Sequence, residues 1–287
     1  MAKEDLKKHL GNILYENIEN LQPISGGDIS QAYRIDTNNS SYFLKLNGAD
    51  KLNMFKTEAY GLELIAKTNT IKTPKILAFD VFENSAFLLM EFVESKSPTA
   101  QDFKALGKQL AALHQCTSES FGLDTNNFIG SLTQSNNQHE SWTDFYIDER
   151  LIPQLDLAKS KGLLNAKEIP LTSAMKDALQ TLFQNIKPSL LHGDLWSGNY
   201  LIASNGTPYL IDPAVYYGHS EIDIAMTKLF GGFSNHFYEA YFDTMPPDDY
   251  TNQRIEIYQL YYLLVHLNLF GRSYYGSVAS ILKSFFS

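Results

Sequence analysis

Leu191-His192-Gly193-Asp194-Leu195-Trp196-Ser197-Gly198-Asn199, with Ile211-Asp212-Pro213 soon after it, decides how this chain is read. An aspartate is followed five residues later by an asparagine, and thirteen residues beyond that by a second aspartate. Apolar residues that suit short strands flank both segments. A polar turn between buried strands would account for the glycines, but it has no need of two carboxylates and a carboxamide at these intervals. Phosphoryl transfer needs one carboxylate to orient and deprotonate the acceptor hydroxyl, and hard oxygen ligands to hold Mg²⁺ on a triphosphate. Asp194 suits the first task; Asn199 and Asp212 suit the second.

The rest of the chain is compatible with such an enzyme. Its 287 residues predict two lobes at roughly 150 residues per domain. The net charge of −9 argues against a general binder of nucleic acid or anionic membrane, though not against a local basic pocket. Cys116, the single cysteine, excludes an internal disulfide and fits a reducing compartment. The first residues lack the apolar core of a signal peptide, and no apolar run approaches about 20 residues. A cytoplasmic protein is expected, with its oligomeric state left open.

Upstream, residues 3–20 predict an amphipathic helix, with Leu6, Leu10, Ile13, Leu14 and Ile18 at helical spacing. Strands are expected at 21–24, 31–36, 42–46, 74–79 and 86–93, and a helix at 54–68. Together they make a small antiparallel lobe, residues 1–94. The pattern then turns helical for a second lobe, residues 95–287. Helices are predicted at 101–115, 142–160, 171–186, 221–230, 235–243, 251–270 and near the C-terminus. Residues 121–140, rich in Asn, Ser and Gln, are expected to be a long loop.

Several small signals in the first lobe keep a fixed order. Gly26 and Gly27 lie between two expected strands, where backbone amides can approach phosphates. Alone, they are equally an ordinary hairpin. Lys45, on the apolar run Phe43-Leu44-Lys45-Leu46, needs an anionic partner, and Glu58 on the next helix can supply it. The run Leu88-Leu89-Met90-Glu91-Phe92-Val93 resembles a kinase hinge, in which backbone groups near Glu91 and Val93 bond adenine from an extended edge. Glycine loop, Lys, Glu, catalytic Asp, Asn and metal Asp follow the order of kinase parts. The fold expected is α+β, bilobal and protein-kinase-like, with a small antiparallel-sheet N-lobe and a mainly helical C-lobe. His192 is read as a structural residue of the loop rather than as a base.

The loop around Asp194, together with Asp212-Pro213-Ala214-Val215-Tyr216-Tyr217-Gly218-His219-Ser220-Glu221-Ile222-Asp223, resembles the fructosamine kinase (ketosamine-3-kinase) family. That family lies within the aminoglycoside-phosphotransferase-like kinases. Leu229-Phe230-Gly231-Gly232-Phe233, Ser141-Trp142-Thr143-Asp144-Phe145-Tyr146 and the run from Tyr258 to His266 carry the same resemblance. It implies an ATP- and Mg²⁺-dependent kinase acting on the 3-hydroxyl of ketosamines, either small molecules or glycated proteins. Asp194 is then the base, Asn199 and Asp212 the metal ligands, and Lys45 and Glu58 the phosphate clamp. Trp196 and His266 become candidates for the sugar–amine substrate, with Trp142 and Asp144 behind them. His219, Glu221 and Asp223 are read as ordering the metal loop and capping the next helix. The loop at Gly26-Gly27-Asp28-Ile29-Ser30 lacks the cysteine that some members carry, so no redox switch is carried over. A kinase for another small molecule (an aminoglycoside, an amino alcohol or a sugar) and a non-catalytic nucleotide-binding module stay open as alternatives.

Overall fold

Alternation of side chains sorts one five-stranded antiparallel sheet into two apolar faces. The computed structural model describes residues 3–24 and 29–286. Its first elements are α1 (Lys3–Leu14), β1 (Ile18–Ile24), β2 (Gln31–Thr37), β3 (Ser41–Gly48), α2 (Leu52–Lys67), β4 (Ile76–Phe82) and β5 (Ser85–Glu91). The strand order is β1-β2-β3-β5-β4. On one face Leu6 and Leu10 of α1 pack with Leu44, Leu46, Phe87 and Leu89. On the other, Phe55, Ala59 and Leu62 of α2 pack with Ala86, Leu88 and Met90, with Phe43 beside them. Lys45 shares the Phe43 side of β3 and therefore faces α2.

The first helix is shorter than its periodicity predicts. Tyr15 takes φ +57° and is almost fully exposed, and the Glu16 N–H turns back to Gly11 C=O at 3.1 Å. That reversed bond is a helix-ending motif, here built without glycine at the left-handed position. Ile18 consequently belongs to β1.

The chain divides into two compact units. One holds residues 1–97 and 201–212; the other holds 98–200 and 213–287. In the first unit a second sheet is built on the excursion 201–212. It contains β6 (Ser95–Lys96), β10 (Tyr200–Ala203) and β11 (Pro208–Leu210) in the order β11-β10-β6. Leu210 N–H bonds Lys72 C=O at 2.9 Å, and Ser204 N–H bonds Glu94 C=O at 2.9 Å. The excursion ends at Asp212.

The second unit is mainly helical. It contains α3 (Ala100–His114), the hairpin β7 (Asn127–Ile129) and β8 (Leu132–Gln134), α4 (Trp142–Phe145), α5 (Ile152–Ser160), α6 (Thr172–Gln180), β9 (Ser189–Leu191), β12 (Tyr216–Gly218), α7 (Glu221–Leu229), α8 (Asn235–Phe242), α9 (Thr251–Phe270) and α10 (Tyr275–Phe286). Thr99 and Asp102 cap α3 reciprocally. At Gly107 any Cβ would stand 2.3 Å from Phe237 C=O, so α3 meets α8 backbone to backbone.

Two helical predictions and one loop prediction need adjustment. Residues 142–160 are interrupted by a π-helical turn, Tyr146–Leu151. There Arg150 is fully buried, its guanidinium 3.9 Å from the Tyr216 ring centre and 4.6 Å from that of Phe145. Residues 171–186 are helical only to Gln180. The polar stretch 121–140 holds a short hairpin because its amides bond inward. Among the described residues no helix is long and apolar enough to cross a membrane.

Candidate active site

The loop 192–199 leaves β9, which pairs with β12. Gly193 has φ +85°, and a Cβ there would lie 2.1 Å from Ala214 C=O, so only glycine fits. Asp223, fully buried near the start of α7, accepts from His192 N–H and Gly193 N–H, both at 2.8 Å. It also faces His114 Nε2 at 3.1 Å, and His114 Nδ1 meets the Tyr241 hydroxyl at 2.8 Å. Burial pushes the Asp223 carboxyl up, but the bonds from His114 and the Gly193 amide outweigh it and hold the group below the usual carboxylate range. The Tyr262 hydroxyl on α9 donates to Gly193 C=O at 2.9 Å.

This frame fixes Asp194. Its N–H donates to His192 Nδ1 at 3.2 Å, so His192 is a buried strut of the loop, as its position in the sequence predicts. Asn199 Nδ2 donates to Asp194 C=O at 2.8 Å and lies 3.3 Å from Asp194 Oδ2. The amide nitrogen is thereby committed to Asp194, and Oδ1 is the Asn199 atom suited to a hard cation. Trp196 is half-buried, and its ring lies over Gly198, where a Cβ would stand 2.3 Å from the indole. The side chains of Asp194, Asn199 and Trp196 therefore belong to one short, internally bonded loop.

The first unit carries a second cluster. Lys45 Nζ donates to Glu58 Oε1 at 2.7 Å and also to the Asp212 carboxylate. Lys45 is 7% exposed, so the clamp is less open to solvent than a surface strand lysine would be. Burial alone would lower the Lys45 pKa; the Asp212 and Glu58 carboxylates outweigh it and raise the pKa. Glu58 is pushed up to about 7, first by burial and then by the like charge of Asp212, against the pull of Lys45. Asp212 itself has φ +54°, a left-handed conformation rare for a non-glycine residue.

The remaining sequence candidates divide. Gly26 and Gly27 lie outside the described residues. The hinge expectation of an extended edge is corrected, because β5 is an interior strand between β3 and β4. The Glu91 N–H is bonded to Lys75 C=O at 2.9 Å, so an adenine contact at Glu91 falls to its carbonyl. Val93 lies past the end of β5. His266 on α9 donates from Nδ1 to Tyr262 C=O at 2.8 Å, one turn beyond the tyrosine that touches Gly193. Trp142 is buried and bonds the Tyr258 hydroxyl at 2.8 Å. Asp144 pairs with Lys176 at 2.5 Å beside a cavity of about 430 Å³ lined also by Ser141, Thr143, Asp177, Gln180 and Phe183. Both residues take packing and pairing roles.

Sequence reasoning passed over some supports of the loop. His114 was indistinguishable from a core histidine, and only its distance to Asp223 gives it a task. Asn127 Nδ2 and Gln134 Nε2 donate to Val215 and Ala214 C=O at 2.7 and 3.1 Å. They hold the segment after Asp212 from within the supposed polar loop. The usable signal was Glu221-Ile222-Asp223, two carboxylates in an otherwise apolar helix start. Glu221 is gripped by Arg254 at 2.6 and 2.7 Å, whereas Asp223 holds the loop.

A model of the fructosamine kinase family matches residues 2–287. The chain belongs to the fructosamine kinase family. It is 39% identical over 281 residues to a probable ketoamine kinase of Lactiplantibacillus plantarum, covering 97% of this chain and 99% of the relative. It is 37% identical over 276 residues to the chloroplastic protein-ribulosamine 3-kinase of Arabidopsis thaliana, covering 93% and 83%. The crystal structure of a putative fructosamine-3-kinase from Haemophilus somnus 129PT superposes with a TM-score of 0.89 at 29% identity, over 98% of this chain and 97% of that one. The fold is protein-kinase-like, and this family member is a phosphotransferase with an alcohol group as acceptor.

Proposed function

We propose that the chain phosphorylates the 3-hydroxyl of ketosamines, of the fructosamine or ribulosamine type, free or protein-bound, with ATP as donor. The observation that carries this reading is the Asp194 carboxylate, held by Asn199 on a loop whose backbone is gripped by Asp223. A carboxylate fixed in this way accepts the proton of the acceptor hydroxyl as its oxygen attacks the γ-phosphorus and ADP departs. Trp196, on the same loop, offers an indole face to the apolar side of a sugar, and His266 an imidazole to a hydroxyl. Lys45, positioned by Glu58, binds phosphate oxygens. The carbonyl of Glu91 and the backbone of Val93 bond adenine.

Asp212 and Asn199 are the residues that would hold Mg²⁺. The donor chemistry fits, because both offer hard oxygen atoms. Mg²⁺, when bound, neutralises charge on the phosphate oxygens.

The test is turnover with a panel of ketosamines, aminoglycosides, choline and free sugars, followed by locating the phosphate on the product. Ketosamine 3-phosphates are expected. Efficient transfer to a kanamycin-like amine or choline, with none to any ketosamine, would leave only the phosphotransferase class standing.

A further inference from the structure

We infer that Phe230, Phe270 and Tyr274, grouped around His266, form the subsite for the amine side of the acceptor: the substituted alkylammonium group that leaves the sugar at C1. The inference rests on the ketosamine reading above. The rings form one cluster. Phe230 and His266 have centroids 4.7 Å apart, His266 and Phe270 5.4 Å, His266 and Tyr274 5.1 Å, and Phe270 and Tyr274 6.4 Å. Phe230 is 40% and Phe270 57% exposed, so part of this aromatic surface faces solvent.

Two contacts join the segments that carry the cluster to the loop of Asp194. Tyr262, one turn before His266 on α9, donates to Gly193 C=O at 2.9 Å. Gly232, two residues after Phe230, packs so closely on the loop that a Cβ would lie 2.3 Å from Ser197 Cβ. Its carbonyl accepts from the Tyr200 hydroxyl at 3.2 Å. The two segments that carry the rings thus touch the residue before Asp194 and a residue three positions after it.

The chemistry of the acceptor supplies the occupant. In a ketosamine the amine sits on C1, two carbons from C3. A substrate with its 3-hydroxyl at Asp194 therefore projects its amine and tail only a short way beyond the loop. A protonated secondary amine with an alkyl stem is a cation attached to apolar surface. Clustered aromatic faces within about 6 Å recognise such a group by cation–π attraction and apolar contact. The imidazole orientation is set by its Nδ1–H bond to Tyr262 C=O, which turns the rest of the ring toward the cluster.

The test uses the whole chain, with Phe270→Ser and the double variant Phe270→Ser, Tyr274→Ser, their folding checked by circular dichroism. Two acceptors share one sugar: 1-amino-1-deoxyfructose, with no amine substituent, and N-fructosyl-hexylamine. The ratio of kcat/KM for the tailed over the tail-less acceptor is the readout. Both acceptors carry an ammonium group at C1, so the ratio reads contact with the hexyl stem; it is expected to fall about tenfold in the double variant, the worth of about two buried methylenes, with a smaller change in Phe270→Ser. An unchanged ratio overturns the subsite. So does loss of a concentration-dependent self-association with the ratio intact, which would make the patch an interface between copies. A wild-type chain that uses neither acceptor would sink the ketosamine reading itself, a result distinct from an unchanged ratio.

Discussion

At the scale of single residues, Asp194 and Lys45 make separable predictions. Asp194→Asn keeps the shape of the loop but removes the proton acceptor. General-base assistance is worth about 10²–10⁴ in rate, so kcat should fall at least about 100-fold with nucleotide binding retained. Near-normal turnover in a folded variant would remove the base assignment. Lys45→Ala leaves Glu58 and Asp212 facing each other around an empty position. We expect ATP use to weaken and the fold to lose about 2 kcal/mol. That is less than the roughly 3–5 kcal/mol of a fully buried pair, since the Asp212 side chain is 32% exposed. The loss should depend on pH. A carboxyl whose folded pKa is raised, as Glu58 already is, stabilises the fold fully below its unfolded value and loses that contribution as pH rises through the folded one. Without Lys45 the repulsion grows, so the deficit in thermal or urea unfolding should be larger at pH 8 than at pH 5. An equal deficit would show that the two carboxylates do not share a site.

At the scale of elements, α7 and its neighbours hold the loop rather than perform chemistry. Asp223 takes three N–H donors into one buried carboxylate. Asp223→Asn offers one acceptor oxygen and brings an NH₂ against backbone amides. The cost should be on the order of 3 kcal/mol, and kcat should fall more than KM for ATP changes. A variant with wild-type kcat would mean that the loop keeps its shape unaided. His219, just before α7, gives a second handle. Burial, reinforced by the charge of Arg254, pushes its imidazole down to about 3. Its Nδ1 lies 2.8 Å from the Tyr258 hydroxyl and 3.8 Å from Glu221. Because the folded pKa is depressed, the stability it contributes is whole above the unfolded value of 6.5 and is lost as pH falls toward 3. The slope is about 1.4 kcal/mol per pH unit at most. Between pH 6.5 and 5, His219→Gln should lose urea resistance less steeply than the wild type; parallel curves would contradict the buried neutral imidazole.

At the scale of the molecule, the chain enters its first unit twice, and the second visit delivers Asp212. Residues 1–97 alone lack β10, β11, the Leu210–Lys72 bond and one carboxylate on Lys45. Joined through a short Gly/Ser linker to residues 201–212, they should melt at a higher temperature than residues 1–97 alone. Equal midpoints would show that the excursion adds nothing to the unit. This return was not legible in the sequence, because a strand of three or four residues declares neither its partner nor its sheet. The first sheet was legible, because each strand sorts its apolar residues by alternation and so carries its own orientation. The pairing of Lys45 with Glu58 was legible too, since an ionisable group on an apolar strand needs a partner and the next helix offers one. The end of α1 at Leu14 was not, since the reversal falls on Tyr15 without a glycine to mark it. Nor was the pairing of His114 with Asp223, of Gln134 with Ala214, or of Asp212 with Lys45. Each joins groups far apart in the chain, and a buried polar atom finds its partner through packing that periodicity does not record. The sequence by itself determined which chemistry the chain carries and which faces its strands and helices bury; the tertiary structure alone decided which polar groups close on one another, because those bonds form only where burial has removed water as the competing partner.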